Sequence, residues 1–220
     1  MNAAAPAPLS GRRAQAARND GRILAAARAV FVADPGAPIS AVAERAGVGI
    51  SALYRRYASK EDLLRKLCGD GLARYVAEAE AALAELEGGG DAWTAFAGFM
   101  GRIVDADTHS LVQRLAGTFT PTEELNRDSN LAQELNQRLF ERTRAAGVIR
   151  PDVTVEDLAV LFEMVAAIRL GDAGRTSQLR HRYLTLLLDA LHPHSSGQAG
   201  SVLPGPPPTW PEQRERWVPR

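Results

Sequence analysis

The sequence predicts an all-α chain with a three-helix head, a larger helical body and about nine helices in all. Three observations predict it. Apolar residues recur at three- and four-residue spacing from about Arg18 to Leu191, and alternating strand-like runs are nearly absent. The breaks between these stretches are helix stops: "DPG" at 34–36, "GVG" at 47–49 and "GGG" at 88–90. Small and apolar residues between 39 and 58 sit where two short helices joined by a tight turn need them.

The first helix runs from about Arg18 to Ala33, with Ile23, Ala27, Val30 and Phe31 on one face. A short helix follows from about Pro38 to Ala46, then the turn Gly47-Val48-Gly49, then a second short helix from Ile50 to Tyr57. A long helix extends from Lys60 towards Leu86. Further helices fit about 91–106, 109–117, 122–146, 154–170 and 175–191. Residues 1–17 read as a disordered basic arm, 18–59 as the head, 60–192 as the body and 193–220 as a disordered tail. The last 28 residues hold 7 of the 13 prolines, which motivates the tail assignment.

Composition narrows the function classes. Of the 220 residues 45% are hydrophobic and 24% charged, as in a globular chain. No apolar run reaches the roughly 18 residues of a membrane span, and "MNAAAPAPLSG" lacks the apolar centre of a signal peptide. A cytoplasmic protein with no membrane partner is therefore expected. Cys68 stands alone, which excludes an internal disulfide and a cysteine metal cage. The formal net charge of zero conceals an asymmetry. Residues 9–66 carry 11 Lys/Arg against 5 acids, so the rest of the chain is correspondingly acidic. A basic head on an acidic body points to a polyanion partner for the head alone.

Residues 39–58 fit a helix-turn-helix. Ala43 is small where the helices press together, and Gly47 supplies the left-handed conformation that ends the first of them. Val42, Val48 and Leu53 lock the pair, so Ile50, Ser51, Ala52, Arg55 and Arg56 must face outward. An arginine can bridge two guanine acceptors in the major groove, and small residues let the backbone approach the bases. Tyrosine hydroxyls and lysine ammonium groups suit phosphate oxygens, which fix register without reading sequence.

The stretch "ISAVAERAGVGISALYRRYASKEDLL", with the preceding "RILAAARAVF", resembles the DNA-binding signature of the TetR family of bacterial repressors. The resemblance is strong for residues 18–66 and architectural beyond. It implies a head that binds a double-stranded operator as a homodimer and a body that binds a small-molecule effector. It places the helix from Ile50 to Tyr57 in the major groove, with Gly49 at its entry. Ile50, Ser51, Ala52 and Arg55 then fall where bases are contacted, and Tyr54 and Lys60 match the family's phosphate-gripping tyrosine and lysine. Arg56 falls where a histidine often meets phosphate, and Arg12, Arg13 and Arg18 could reach DNA ahead of the first helix. Two positions depart from the pattern. Pro38 replaces a threonine cap, so Ser40 or backbone amides must serve the phosphate instead. Tyr57 replaces a phenylalanine, and is either a further phosphate contact or a core ring with its hydroxyl in water.

The body is read for itself. Trp93, Phe96, Met100 and Ile103, then Leu115 and Phe119, then Leu139 and Phe140, with Phe162, are candidates for an adaptable apolar effector pocket. Each is also an ordinary core candidate. Arg102, Arg114 and His109 lie nearby and could select an anion, or could sit on a solvated face. Leu158, Leu161, Val165 and Ile168 form one apolar stripe, and Leu184, Leu187, Leu188 and Leu191 another. Paired across two subunits they would make a four-helix dimer interface; alternatively both pack inward on their own subunit.

No HExxH, GxSxG, P-loop or GxGxxG pattern is present, and no cofactor or metal site is expected. The reading is a repressor released by a small, largely apolar effector. A helix-turn-helix activator or an effector-independent DNA-binding protein is the alternative, and a small helical enzyme a remote one.

Overall fold

The computed structural model describes residues 11–193 and 202–218, the side chains of 11–14, 16, 17, 112 and 113 excepted. Ten helices and no strand occur among them, divided between a unit ending at Leu67 and a unit starting at Cys68.

The first unit holds α1 (Gly11–Ala33), α2 (Ile39–Ala46), α3 (Ile50–Arg56) and the start of α4 (Lys60–Glu87). α1 begins seven residues ahead of the expected start, because "RRAQAARN" contains no breaker and continues the helical pattern. The turn after it closes when the Gly36 amide donates to Asp34 Oδ1 at 2.8 Å. α2 opens on Pro38 without a side-chain cap and ends on Gly47 at φ 63°, whose amide returns to the Ala43 and Glu44 carbonyls. A Cβ at Gly47 would lie 2.7 Å from Arg22 Nη2, and that nitrogen donates to the Ala46 carbonyl at 2.6 Å. Glycine is thus required there by both conformation and space. Phe31, Val42 and Leu53 are fully buried at the centre, flanked by Ile23, Ala27, Ala43 and Leu63. Ser59 and Asp62 cap α4: the Asp62 amide donates to Ser59 Oγ at 3.0 Å, and that hydroxyl donates to Asp62 Oδ2 at 2.9 Å.

The second unit is built from the rest of α4, α5 (Ala92–Ala106), α6 (Thr108–Leu115), α7 (Glu123–Ala145), α8 (Val155–Ala166) and α9 (Ala173–Leu191). Asp91, Thr122, Thr154 and Asp172 open α5, α7, α8 and α9 as residues suited to N-caps. The core joins Phe96, Phe99, Met100 and Ile103 of α5 to Leu139 and Phe140 of α7, Leu158 and Phe162 of α8, and Leu184 of α9. α8 stops four residues short of its expected end. The Arg180 guanidinium takes the Ala166 and Ile168 carbonyls at 2.8 and 3.2 Å and closes it there.

The tail expected to be disordered carries α10 (Trp210–Glu215) and docks on the second unit. Thr209 and Glu212 form a capping box around Pro211, so a helix starts although the surrounding composition is proline-rich. Gln213 Nε2 donates to the Glu156 carbonyl at 2.9 Å, Arg214 to Asn130 Oδ1 at 2.8 Å, and Arg216 pairs with Glu163. The Trp217 ring meets Phe119 edge-on at 5.9 Å. Composition measures local order, whereas these partners lie far away in sequence.

Candidate nucleic-acid interface

With Val42 and Leu53 buried and Val48 half-buried, the outer surface of α2 and α3 follows. Ser40, Arg45, Gly49, Ile50, Ser51, Tyr54 and Arg55 are exposed, and Ala52 is half-buried. Ile50 and Tyr54 are 40% and 48% exposed. Arg55 takes part in no ion pair among the described residues. One short helix therefore presents an unpaired guanidinium, a phenol and small residues together, the set suited to base edges and phosphates in a major groove. Arg45 joins this surface although the sequence pattern did not single it out. Arg18 is exposed and donates to Gln15 Oε1 at 2.8 Å. The side chains of Arg12 and Arg13 lie outside the described residues.

Three of the expected DNA contacts are instead committed inside the head. Arg56 grips Asp20 of α1 with two bonds, Nε to Oδ1 at 2.8 Å and Nη2 to Oδ2 at 3.0 Å. The Tyr57 ring is buried at 6% exposure, and its hydroxyl donates to Asp20 Oδ1 at 2.7 Å. Tyr57 is thus the core ring of the two readings, but its hydroxyl meets a carboxylate and not water. The Arg56 hydrogen bonds are the main reason the Asp20 carboxyl titrates below its usual value. Lys60 Nζ donates to the Pro35 and Ala37 carbonyls, both at 2.8 Å, and lies 5.0 Å from the Phe31 ring centre. It clasps the α1–α2 turn, whose carbonyls need a donor. Asp20 gave no signal in sequence, because its partners lie 36 and 37 residues away.

Comparison with known proteins places both parts of the chain in one family. A family model described as "Bacterial regulatory proteins, tetR family" matches residues 23–67, the helix-turn-helix and its neighbours. A second, "Transcriptional regulator SbtR-like, C-terminal domain", matches residues 89–193. The chain belongs to the TetR family of transcriptional regulators. Among solved structures it is similar to a TetR transcription regulatory protein from Mycobacterium vanbaalenii. The two are 28% identical over 82% of this chain and 99% of that one, with a TM-score of 0.51. A TetR transcriptional regulator from Streptomyces coelicolor is 25% identical over 80% of this chain and 99% of that one, with a TM-score of 0.53. The fold is also that of the regulator LfrR from Mycobacterium smegmatis, solved in complex with proflavine. There the TM-score is 0.61 at 22% identity, over 84% of this chain and 99% of that one. No curated protein matches the sequence of this TetR-family regulator.

In the body of the regulator, a small recess is lined by Ile103, Val104, Asp107, His109, Phe162, Val165, Ala166 and Arg180. Of the pocket residues expected from sequence, only Ile103 and Phe162 line it. Phe96, Met100, Leu115, Phe119, Leu139 and Phe140 are buried core, and Trp93 is half-buried against His192, with ring centres 3.7 Å apart. His109 stacks on Phe162 at 4.5 Å and leans on Tyr75 at 6.1 Å. Burial pulls the His109 imidazole down to about 4, against the opposing pull of Asp107, so it is neutral at pH 7. Burial pushes the Tyr75 phenol up. Asp107, at φ 51°, accepts from Ser110 Oγ at 2.5 Å and Arg180 Nη1 at 2.6 Å. Tyr75, Asp107 and Arg180 were missed in sequence, since the recess is assembled from four separate helices and a junction. Arg102 pairs with Glu78 at 2.6 Å, away from the recess lining, and Arg114 is exposed.

Of the eight residues in the two stripes expected to meet a second subunit, four are buried in the chain's own core. Leu158, Val165, Leu184 and Leu191 are buried, and Leu161, Leu187 and Leu188 pack half-buried against the same cluster, with Ile168 also half-buried. The exposed apolar side chains of these helices are Val160 and Met164 of α8 and Tyr183 and Leu186 of α9, with Leu170 just beyond α8. α8 is apolar nearly all round, so its spacing alone did not disclose which face turns inward.

Proposed function

We propose that this TetR-family regulator is a homodimeric repressor whose α3 helices read the two halves of a palindromic operator and whose operator affinity falls when a small apolar effector enters the body. The observation that carries the DNA-reading part is exposed Tyr54 beside Arg55, which is in no ion pair among the described residues, on α3 next to Ser51 and Gly49. Such a surface has no use inside the chain. Dimerisation is supported by Met164 at 55% and Leu186 at 54% exposure, with Val160 and Tyr183 beside them on the two final body helices. A single head reads one half-site, so two heads set the half-site spacing by geometry. A DNA-binding repressor acts where the chromosome is, in the cytoplasm, and no helix among the described residues is long and apolar enough to cross a membrane.

The effector reading rests on the recess around His109 and Phe162. Its apolar walls and stacked rings suit a planar, largely apolar molecule, and the neutral imidazole offers one hydrogen-bonding group without charge. The enclosed space of the recess is about 10 Å³, room for roughly one water, against the roughly 300 Å³ that drug-sized ligands need, so binding requires α5, α6 or α8 to give way. That displacement is the differential interaction an effector needs to shift one conformer against another. α4 is one uninterrupted helix from Lys60 to Glu87, and it is the route by which the shift reaches the head. The LfrR complex with the planar dye proflavine lends support by fold likeness.

The test is a gel shift on the protein's own upstream DNA, titrated with planar apolar compounds. Release of the complex by one of them, abolished by His109→Ala, is the expected result. A complex that resists every compound while the protein alone binds one would sink the release mechanism.

A further inference from the structure

The head carries two adjacent arginines with opposite fates. Arg55 is exposed and outside any ion pair among the described residues, whereas Arg56 is held by Asp20 through two bonds of 2.8 and 3.0 Å, one to each carboxylate oxygen. A carboxylate taking two N–H groups of one guanidinium uses the same donors and geometry that a phosphate would use. The side chain of Arg56 is 59% exposed and that of Asp20 only 19%, so the pair sits at the rim of α3 with its acid turned to the protein. The Tyr57 hydroxyl, at 2.7 Å from the same Oδ1, fixes the carboxylate from the buried side. Asp20 is therefore anchored independently of Arg56, and it competes with any phosphate that approaches this rim.

Resting on the reading of α3 as the DNA-reading helix, we infer that Asp20 is a positioning residue of the DNA interface, which withholds Arg56 from phosphate and so limits the sequence-independent hold on DNA. Sequence-independent binding comes almost wholly from cations on phosphates, and each contact steepens the dependence of affinity on salt. With Arg56 withheld, the head meets every sequence with one cation fewer than its composition offers. Binding then rests more heavily on Tyr54 and Arg55, which face outward and are in no ion pair among the described residues.

The experiment measures affinity for a mixed-sequence 30-base-pair duplex across a salt series, together with thermal stability. Wild type, Asp20→Asn, Arg56→Gln and the double variant are compared. Asp20→Asn keeps size and a hydrogen-bonding oxygen for Tyr57 while removing the charge. It is expected to raise affinity about eightfold at 0.1 M salt and to steepen the log–log slope by about one. Arg56→Gln is expected to leave the slope as in wild type, and the double variant to return to wild type, because the gain acts through Arg56. A shallower slope in Arg56→Gln overturns the inference, since Arg56 would already hold phosphate; this exposed position tolerates the change even if Asp20→Asn fails to fold. A gain that persists in the double variant also overturns it, since Asp20 would then act only as a repelling charge. Asp20→Asn that melts earlier and binds no tighter reassigns the pair to stability alone. Absence of duplex binding by all four proteins at low salt would remove the DNA-reading premise itself.

Discussion

Arg55, Tyr54 and His109 are the residues whose chemistry the structure exposes most directly. Arg55 is outside any ion pair among the described residues, so no described partner competes for it when it binds. Arg55→Ala is expected to relax base preference at one operator position by about 1–3 kcal/mol, while Tyr54→Phe weakens binding to all sequences alike. Binding measured on an operator and on its single-base variants separates the two; equal loss on every sequence from Arg55→Ala would make it a phosphate contact. His109 predicts a pH dependence. Its folded-state value is lowered from 6.5 to about 4, so between these values the unfolded chain binds a proton that the folded chain refuses. Stability is therefore full above about pH 6.5 and falls as pH drops towards 4, by roughly 3 kcal/mol from this group. Urea unfolding of wild type against His109→Phe at pH 7 and pH 4.5 checks it, and parallel pH profiles would remove His109 as the cause.

Among the elements, the α2–α3 turn and the docked tail make the sharpest contrast. The turn was legible because its requirements are local: Gly47 must be left-handed four residues after a small Ala43, and Val42, Val48 and Leu53 must close over it. Gly47→Ala should cost about 1–3 kcal/mol, since it forces a positive φ and displaces Arg22 from the Ala46 carbonyl. Gly49→Ala, at φ −65° with open space around a Cβ, should cost less than about 1 kcal/mol, because alanine is the poorer N-cap but stiffens the unfolded chain. Equal losses at both sites, measured by denaturant unfolding, would contradict this account of the turn. The tail was illegible because seven prolines suggest disorder, whereas Trp217 on Phe119 and Arg216 on Glu163 are partners no local window contains. Trp217→Ala should lower stability by about 1–2 kcal/mol through lost burial and the ring contact. An unchanged melting curve would mean the tail is only laid against the surface.

For the whole molecule, the sequence made the fold class and the head plain because helical spacing, stop signals and turn chemistry all agree there. The fates of Arg56, Lys60 and the α8–α9 faces were not legible. An arginine beside an exposed arginine looks identical until Asp20 arrives from α1, and α8 offers apolar residues to both sides. Dimerisation through Val160, Met164, Tyr183 and Leu186 predicts that Met164→Asp with Leu186→Asp leaves a folded monomer in size-exclusion chromatography that no longer holds the palindrome. A double variant that remains dimeric would move the interface elsewhere. The account's central claim is that exposed α3 reads DNA sequence. The most direct measurement selects a duplex from random sequence with the wild-type protein. It then compares affinity for that duplex and for a scrambled one of the same length at physiological salt. The account predicts at least about a thousandfold preference for the selected duplex, lost when Arg55 is replaced by alanine. Equal affinity for both duplexes would contradict it.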